Sequence, residues 1–151
     1  MSKSNPLIAI VDDDESVCRA MKRLVRSLGM EADAFISGRE FIDRVETTPS
    51  FQPDCVVLDV QMPGMNGLEV QERLASSGNP LPVIFITAHD EAGVRDRALA
   101  AGAVAFLRKP FNDELFIKTL RVALNLGHWV NSHLLDRHIF HMFMPHEMSF
   151  N

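Results

Sequence analysis

Acidic, hydroxyl and amine side chains follow or close four apolar segments of this sequence. The acidic run Asp12–Asp14 follows the first segment, Asp59 and Thr87 close two later ones, and Lys109 comes shortly after the last. Carboxylates gathered at one place repel one another unless a divalent cation or a lysine compensates them. Hard oxygen ligands of this kind suit Mg²⁺, which often bridges carboxylates to phosphate. Each residue alone has a simpler explanation, as a solvated acid, a helix cap or a surface lysine, so the hypothesis depends on a fold that brings them together.

The pattern of apolar residues predicts such a fold. Five short apolar runs are each suited to a buried parallel strand, namely Leu7–Val11, Glu31–Phe35, Cys55–Leu58, Val83–Thr87 and Val104–Leu107. After each of them, apolar residues recur at steps of three and four, which is typical of a helix packed on a core. We therefore predict an α/β fold, a doubly wound five-stranded parallel sheet with five flanking helices. Ligands of such sheets bind at the carboxyl ends of the strands, where the polar side chains stand.

Local signals mark several helix ends. Ser37 and Glu40 form an S-x-x-E capping box at the start of the second helix, and Asn112 can cap the fifth. Gly29 and Gly102 are placed to end the first and fourth helices. These signals support the helix assignments independently of the apolar pattern.

Composition is that of an ordinary globular protein. The chain has 151 residues, enough for one domain and a short appendage, with 46% hydrophobic and 23% charged residues. Its net charge of -5 argues against a broad surface for nucleic acid or anionic membranes, so we expect it to contact neither directly. Cys18 and Cys55 lie in apolar segments, as expected of buried thiols in a reducing compartment. The N-terminus predicts neither a signal peptide nor a transmembrane span, and we expect a cytoplasmic protein.

Four motifs closely resemble one family. The matching segments of response-regulator receiver domains, which act in two-component signalling, are similar to IAIVDDDESV, DCVVLDVQMPGMNGLEV, PVIFITAH and AGAVAFLRKPF. The resemblance extends from Asn5 to Leu126 and is closest to the FixJ-type subfamily. It implies a flavodoxin-like (CheY-like) sheet with strand order 2-1-3-4-5 and a receiver domain over residues 1–126.

The resemblance gives the carboxylates a role in phosphoryl transfer. It makes Asp59 the residue that accepts a phosphoryl group from a sensor histidine kinase. Asp12, Asp13, Asp59 and the backbone carbonyl of Gln61 would hold Mg²⁺ or Mn²⁺, and Lys109 would offset charge on the transferred group. The protein would be a signalling phosphoacceptor that catalyses only its own phosphorylation and dephosphorylation, not an enzyme with a separate substrate.

The resemblance also implies a conformational switch. Thr87 would bind a phosphoryl oxygen and move toward it, and Phe106 would turn inward behind the fourth strand. This movement would remodel the face made by the fourth helix, fifth strand and fifth helix, which could bind a partner or a second copy of the chain. The alternative for Phe106 is an ordinary core residue.

Two further details follow from the same family pattern. A cis peptide bond between Lys109 and Pro110 would aim the lysine inward. The side chains of Gln61 and His89, each two residues beyond a site residue, would influence how fast the phosphorylated form hydrolyses. For His89, the alternative is a solvated loop residue.

Residues 127–151 leave the family pattern and form an extension of unknown role. Its apolar residues could continue the last helix or form a short one. Five of the chain's six histidines lie there, namely His128, His133, His138, His141 and His146. Their spacing matches no zinc motif, so we do not predict a metal site in the extension.

Three alternative functions stay open at this point. A haloacid-dehalogenase-type phosphatase would use Asp12 as its nucleophile, in a DxDxS pattern ending at Ser16, with Thr87 and Lys109 as later motifs. It would also need an acidic pair on a further strand, and it leaves Asp59 without a role. A pseudo-receiver would bind partners without ever gaining phosphate. The chain could also be the receiver part of a LuxR-type transcription factor.

Overall fold

Strands and helices alternate along the whole of the chain that the computed structural model describes, residues 5–89 and 92–133. The elements are β1 (Leu7–Val11), α1 (Glu15–Ser27), β2 (Glu31–Phe35), α2 (Gly38–Thr47), β3 (Cys55–Asp59), α3 (Gly67–Ser76), β4 (Val83–Thr87), α4 (Val94–Ala100), β5 (Ala105–Arg108) and α5 (Asp113–His133). The strands form one parallel sheet in the order β2-β1-β3-β4-β5. The predicted fold class and strand order are confirmed.

Two strands end one residue later than the apolar pattern predicted. β3 includes Asp59, which pairs with Ile86 of β4, and β5 runs from Ala105 to Arg108, which pairs with Thr87. Backbone pairing does not require an apolar side chain, so each ladder continues past the last apolar residue.

Successive side chains of the strands point to opposite faces of the sheet, and each face has its own core. In β1, Ile8 and Ile10 pack with residues of α1 and α5, whereas Ala9 and Val11 pack with residues of α2, α3 and α4. Because both faces are covered, the central strands are buried and only their ends reach solvent.

Side-chain caps begin several of the helices. The Ser37 hydroxyl accepts a hydrogen bond from the Glu40 N–H at 3.1 Å, and Asn112 Oδ1 accepts one from the Leu115 N–H at 2.7 Å, as the sequence predicted. α3 begins with a reciprocal capping box between Asn66 and Glu69 that we did not predict. The N-x-x-E pattern was visible in the sequence and would have located it.

The last helix passes through the predicted domain boundary. α5 continues beyond residue 126 and ends at His133, so the predicted extension of residues 127–151 starts within a helix. The rest of that extension, with His138, His141 and His146, lies outside the described residues. Of the helices described, none is long and apolar enough to cross a membrane. Cys18 and Cys55 are buried free thiols, as predicted.

Gly67, the first residue of α3, lies directly behind the backbone of Asp59. A Cβ at this position would collide with the Asp59 carbonyl oxygen and lie 3.0 Å from Phe85 Cε1. We expect Gly67→Ala to lower the free energy of unfolding by about 2–3 kcal/mol, measured by urea denaturation. The control is Gly78→Ala, where the space is open but φ is +75°, and a loss of about 1 kcal/mol is expected. Equal losses would contradict the predicted collision.

Candidate functional site

Sheet register brings the predicted site residues to one edge. Asp12 follows β1, Asp59 ends β3, Thr87 ends β4 and Lys109 follows β5. The register pairs Val11 with Leu58 across β1 and β3, which sets the next residues, Asp12 and Asp59, level with each other. The other pairings place Thr87 beside Arg108, the residue before Lys109. Residues far apart in the sequence therefore share the carboxyl edge because parallel strands end together.

Three carboxylates meet at the centre of this edge. Asp12, Asp13 and Asp59 each offer an oxygen, and these atoms lie within 4.8 Å of one another. Asp12 is fully buried and Asp59 is 5% exposed. Asp13 faces solvent. A group of hard oxygen donors that is open to water on one side fits an ion such as Mg²⁺, which keeps several of its waters.

The third acid of the run, Asp14, has a different task. Its Oδ1 accepts hydrogen bonds from the Ser16 N–H at 2.9 Å and the Ser16 hydroxyl at 2.6 Å, which caps α1. These bonds hold the pKa of Asp14 below its ordinary value. Its exclusion from the metal ligands stays a prediction.

Lys109 is the cation that faces these acids. Its Nζ donates a hydrogen bond to Asp12 Oδ2 at 2.8 Å and lies 3.8 Å from Asp59 Oδ1. The Lys109–Pro110 peptide bond is cis. Burial lowers the pKa of Lys109, but the hydrogen bond to Asp12 and the charge of Asp59 outweigh it and raise the pKa above its ordinary value. The side chain is therefore held as an ammonium beside Asp59.

Asp59 is the acid of the group whose ionised form the folded protein disfavours. Burial, and then the negative charge of Asp12, raise its pKa to about 7, although Lys109 acts in the opposite direction. One ammonium does not balance three carboxylates, so the site retains negative charge that a divalent cation would offset.

The predicted switch residues lie beside this centre. Thr87 is fully buried, and its hydroxyl donates to the His89 carbonyl at 2.7 Å and accepts from the His89 N–H at 3.2 Å. His89 and Gln61 are exposed in the loops after β4 and β3. The Thr87 hydroxyl is thus engaged in a local turn of the β4–α4 loop.

Phe106 occupies the interior of the α2–α3–α4 side of the sheet. It is fully buried, and its ring centroid lies 6.0 Å from that of Phe85. The predicted inward turn would require the Phe106 ring to start from an outward position. In this structure the ring already lies inside. Its role in the switch stays a prediction.

Sequence reasoning missed Gln71 of α3. Its side chain is only 3% exposed, and its Nε2 donates to the Ala98 carbonyl of α4 at 3.0 Å. The signal was present, because Gln71 lies in the same helical stripe as the buried Gly67, Val70 and Leu74. A polar residue at a core position usually has a specific partner.

Comparison with known proteins identifies the family. The family model of the response regulator receiver domain matches residues 8–121. This chain belongs to that family. The receiver is 40% identical over 127 residues to the response regulator protein TmoT of Ectopseudomonas mendocina, a match that covers 84% of this chain and 56% of TmoT. It therefore spans about half the length of the curated relatives that it matches.

Solved structures of receivers match it as well. A response regulator receiver protein from Burkholderia phymatum is 63% identical with a TM-score of 0.73, covering 80% of this chain and 96% of that one. The solved structure of FixJ-N is 28% identical with a TM-score of 0.73, and the match covers 82% of this chain and 96% of that one. Several receivers match comparably, so the FixJ-type subfamily stays a prediction.

Family membership decides the class of function. Receivers are signalling domains of two-component systems, so the chain is a signalling protein. The haloacid-dehalogenase alternative, with Asp12 as nucleophile, is not supported by the family match.

Asp59→Asn should stabilise the metal-free receiver at high pH. The folded state raises the pKa of Asp59 to about 7, so folding favours the protonated carboxyl. This contribution is complete below the pKa of the unfolded chain and is lost as the pH rises through 7. With a chelator at about pH 8, we expect urea denaturation to show Asp59→Asn more stable than the wild type by about 1–3 kcal/mol.

The difference should shrink as the pH falls toward about 5. Asp43→Asn, an exposed carboxylate on α2, is the matched control and should change the free energy of unfolding by less than about 0.5 kcal/mol at either pH. A wild type that is the more stable protein at high pH without metal would contradict the electrostatic assignment.

Proposed function

We propose that this receiver accepts a phosphoryl group from a sensor histidine kinase onto Asp59, in a reaction that needs Mg²⁺ or Mn²⁺. The observation that carries the proposal is the position of Asp59, which lies beside the carboxylates of Asp12 and Asp13 and 3.8 Å from the ammonium of Lys109. An Asp59 oxygen forms the new bond to phosphorus while the bond from phosphorus to the kinase's histidine nitrogen breaks. The leaving nitrogen keeps the electron pair.

The chain contributes position and charge. β3 and its neighbours hold Asp59 at the edge, and the hydrogen bond from Lys109 to Asp12 keeps the ammonium where it can offset charge on the phosphoryl oxygens. A divalent ion held by Asp12, Asp13, Asp59 and the Gln61 carbonyl would supply further positive charge. Burial and then the negative charge of Asp12 raise the pKa of Asp59, and this ion would offset the second of these causes.

Phosphorylation would be transmitted through Thr87. A phosphoryl oxygen is a stronger acceptor than the His89 carbonyl, so it would draw the Thr87 hydroxyl away from the turn. The β4–α4 loop would then be free to move. Phe106 would adjust behind it, and the exposed side chains of Gln61 and His89 would tune the rate at which Asp59 loses the phosphoryl group.

We propose that the output passes through the face formed by α4, β5 and α5. A partner, a second copy of the receiver or an output domain would bind this face, in the cytoplasm and without direct contact of this chain with nucleic acid or membrane. An output domain is consistent with the greater length of the curated relatives. A LuxR-type transcription factor stays one alternative for the whole protein.

The test is transfer from a small phosphodonor. With acetyl phosphate and Mg²⁺, wild-type protein should gain the mass of one phosphoryl group, and peptide mapping should place it on Asp59. Asp59→Asn should reduce incorporation to background, because the nucleophile is gone. Excess chelator should do the same to the wild type, because the carboxylates then repel the donor.

Asp43→Asn again serves as the control and should be labelled like the wild type. Label on Asp12 would favour phosphatase-type chemistry. Lack of any label on the folded wild type, with donor and metal in excess, would indicate a pseudo-receiver. Either result would overturn the proposal.

A further inference from the structure

α4 is a short helix that buries little of its surface against the rest of the molecule. It has seven residues, and its buried residue is Ala98. Its N-cap, Gly93, has a φ of 83° and makes no side-chain capping hydrogen bond. Short helices without caps depend on tertiary contacts for their position. The few contacts that α4 does make therefore carry most of its placement.

A groove separates α4 from its neighbour α3. It has a volume of about 360 Å³ and is lined by Leu68, Gln71, Glu72, Arg97, Ala100 and Ala101. The α4 side of this lining consists of two alanines and an arginine, so large apolar side chains of α4 do not fill the space. Apolar packing across the groove is correspondingly weak.

Gln71 bridges the two helices with a hydrogen bond. Its Nε2 donates to the Ala98 carbonyl at 3.0 Å, across 27 residues of sequence. The same carbonyl accepts the Ala103 N–H at 3.0 Å, so both of its lone pairs are used at the C-terminal end of α4. The free-energy cost of desolvating a buried amide is offset only when its hydrogen bond is made. The Gln71–Ala98 hydrogen bond therefore favours this distance between α4 and α3.

The loop that precedes α4 is held by a residue of the site. The Thr87 hydroxyl holds the His89 backbone in the loop that leads to α4. Thr87 therefore holds part of the loop that precedes α4, and Gln71 holds the C-terminal end of the helix.

We propose that Gln71 is a positioning residue that holds α4 in the unphosphorylated arrangement and so resists the switch. This inference rests on the proposed function, in which phosphorylation releases Thr87 from the turn. Once that loop is free, the Gln71–Ala98 hydrogen bond is a contact that movement of α4 away from α3 must break. A contact made in only one of two states shifts the equilibrium toward that state.

Beryllofluoride with Mg²⁺ is the probe, because it occupies the place of a phosphoryl group on the carboxylate of a receiver. Gln71→Met keeps the length of the side chain and removes the donor. Apparent affinity increases when more of the free protein is in the binding-competent state. We expect Gln71→Met to bind beryllofluoride roughly three- to tenfold more tightly than the wild type, the factor for loss of one hydrogen bond. Hydrogen exchange at α4 amides should be faster in the free variant.

Val25→Ala is the control for general loss of stability. Val25, a residue of α1, is fully buried against the opposite face of the sheet. This variant should unfold at lower urea yet bind beryllofluoride like the wild type. Gln71→Asn, whose amide is too short to reach Ala98, provides a second test if Gln71→Met does not fold.

The results separate the two proposals. Unchanged or weaker beryllofluoride binding in both Gln71 variants would overturn the role of Gln71 and leave the phosphoacceptor intact. Failure of the folded wild type to bind beryllofluoride would overturn the proposed function itself. Tighter binding in the Gln71 variants together with unchanged binding in Val25→Ala would support the positioning role.

Discussion

Three carboxylates and one ammonium share the carboxyl edge of the sheet, and their mutual charge is the constraint on which the site depends. The sheet forces Asp12 and Asp59 together, because β1 and β3 are adjacent and in register. Lys109 reaches back from β5 to compensate Asp12 at 2.8 Å and Asp59 at 3.8 Å. Burial, together with the negative charge of Asp12, raises the pKa of Asp59 to about 7, so the folded protein holds this acid in an unfavourable environment. Added positive charge at this edge is therefore favourable for the whole domain.

The other elements of the molecule differ in how firmly they are packed next to that edge. The central strands are buried on both faces and hold the carboxylates rigidly. α4 differs, since it is short, lacks a side-chain cap and lies across an open groove from α3. Under the proposed function, a change in charge at Asp59 would therefore move α4 at low cost while the sheet stays in place. Rigid strands for the chemistry and a loosely held helix for the response are what a two-state signalling domain requires.

Much of this arrangement could be predicted from the sequence, because parallel strands place their ends together. Short apolar runs located β1 to β5 within one residue, and the polar residues that follow them, from Asp12 to Lys109, then had to share an edge. Gln71 was missed because periodicity treats a polar residue in an apolar stripe as noise, and its partner is 27 residues away. The pairing of Lys109 with Asp12, across 97 residues, depends on the path of the β5–α5 loop, which no local pattern encodes. The inward position of Phe106, with its ring centroid 6.0 Å from that of Phe85, is likewise a tertiary contact that no local pattern encodes.

The Thr87 hydroxyl carries a single proton, and that proton can be given to one acceptor at a time. In this structure the acceptor is the His89 carbonyl. A phosphoryl oxygen on Asp59 and the His89 carbonyl in the turn of the β4–α4 loop would compete for the same proton. A hydrogen bond to one would exclude a hydrogen bond to the other. His89 is exposed, and water can take up the carbonyl that is released. An exclusive choice of this kind would make the loop bistable: no intermediate position would satisfy both acceptors, and the domain would have a physical reason to respond in full or not at all.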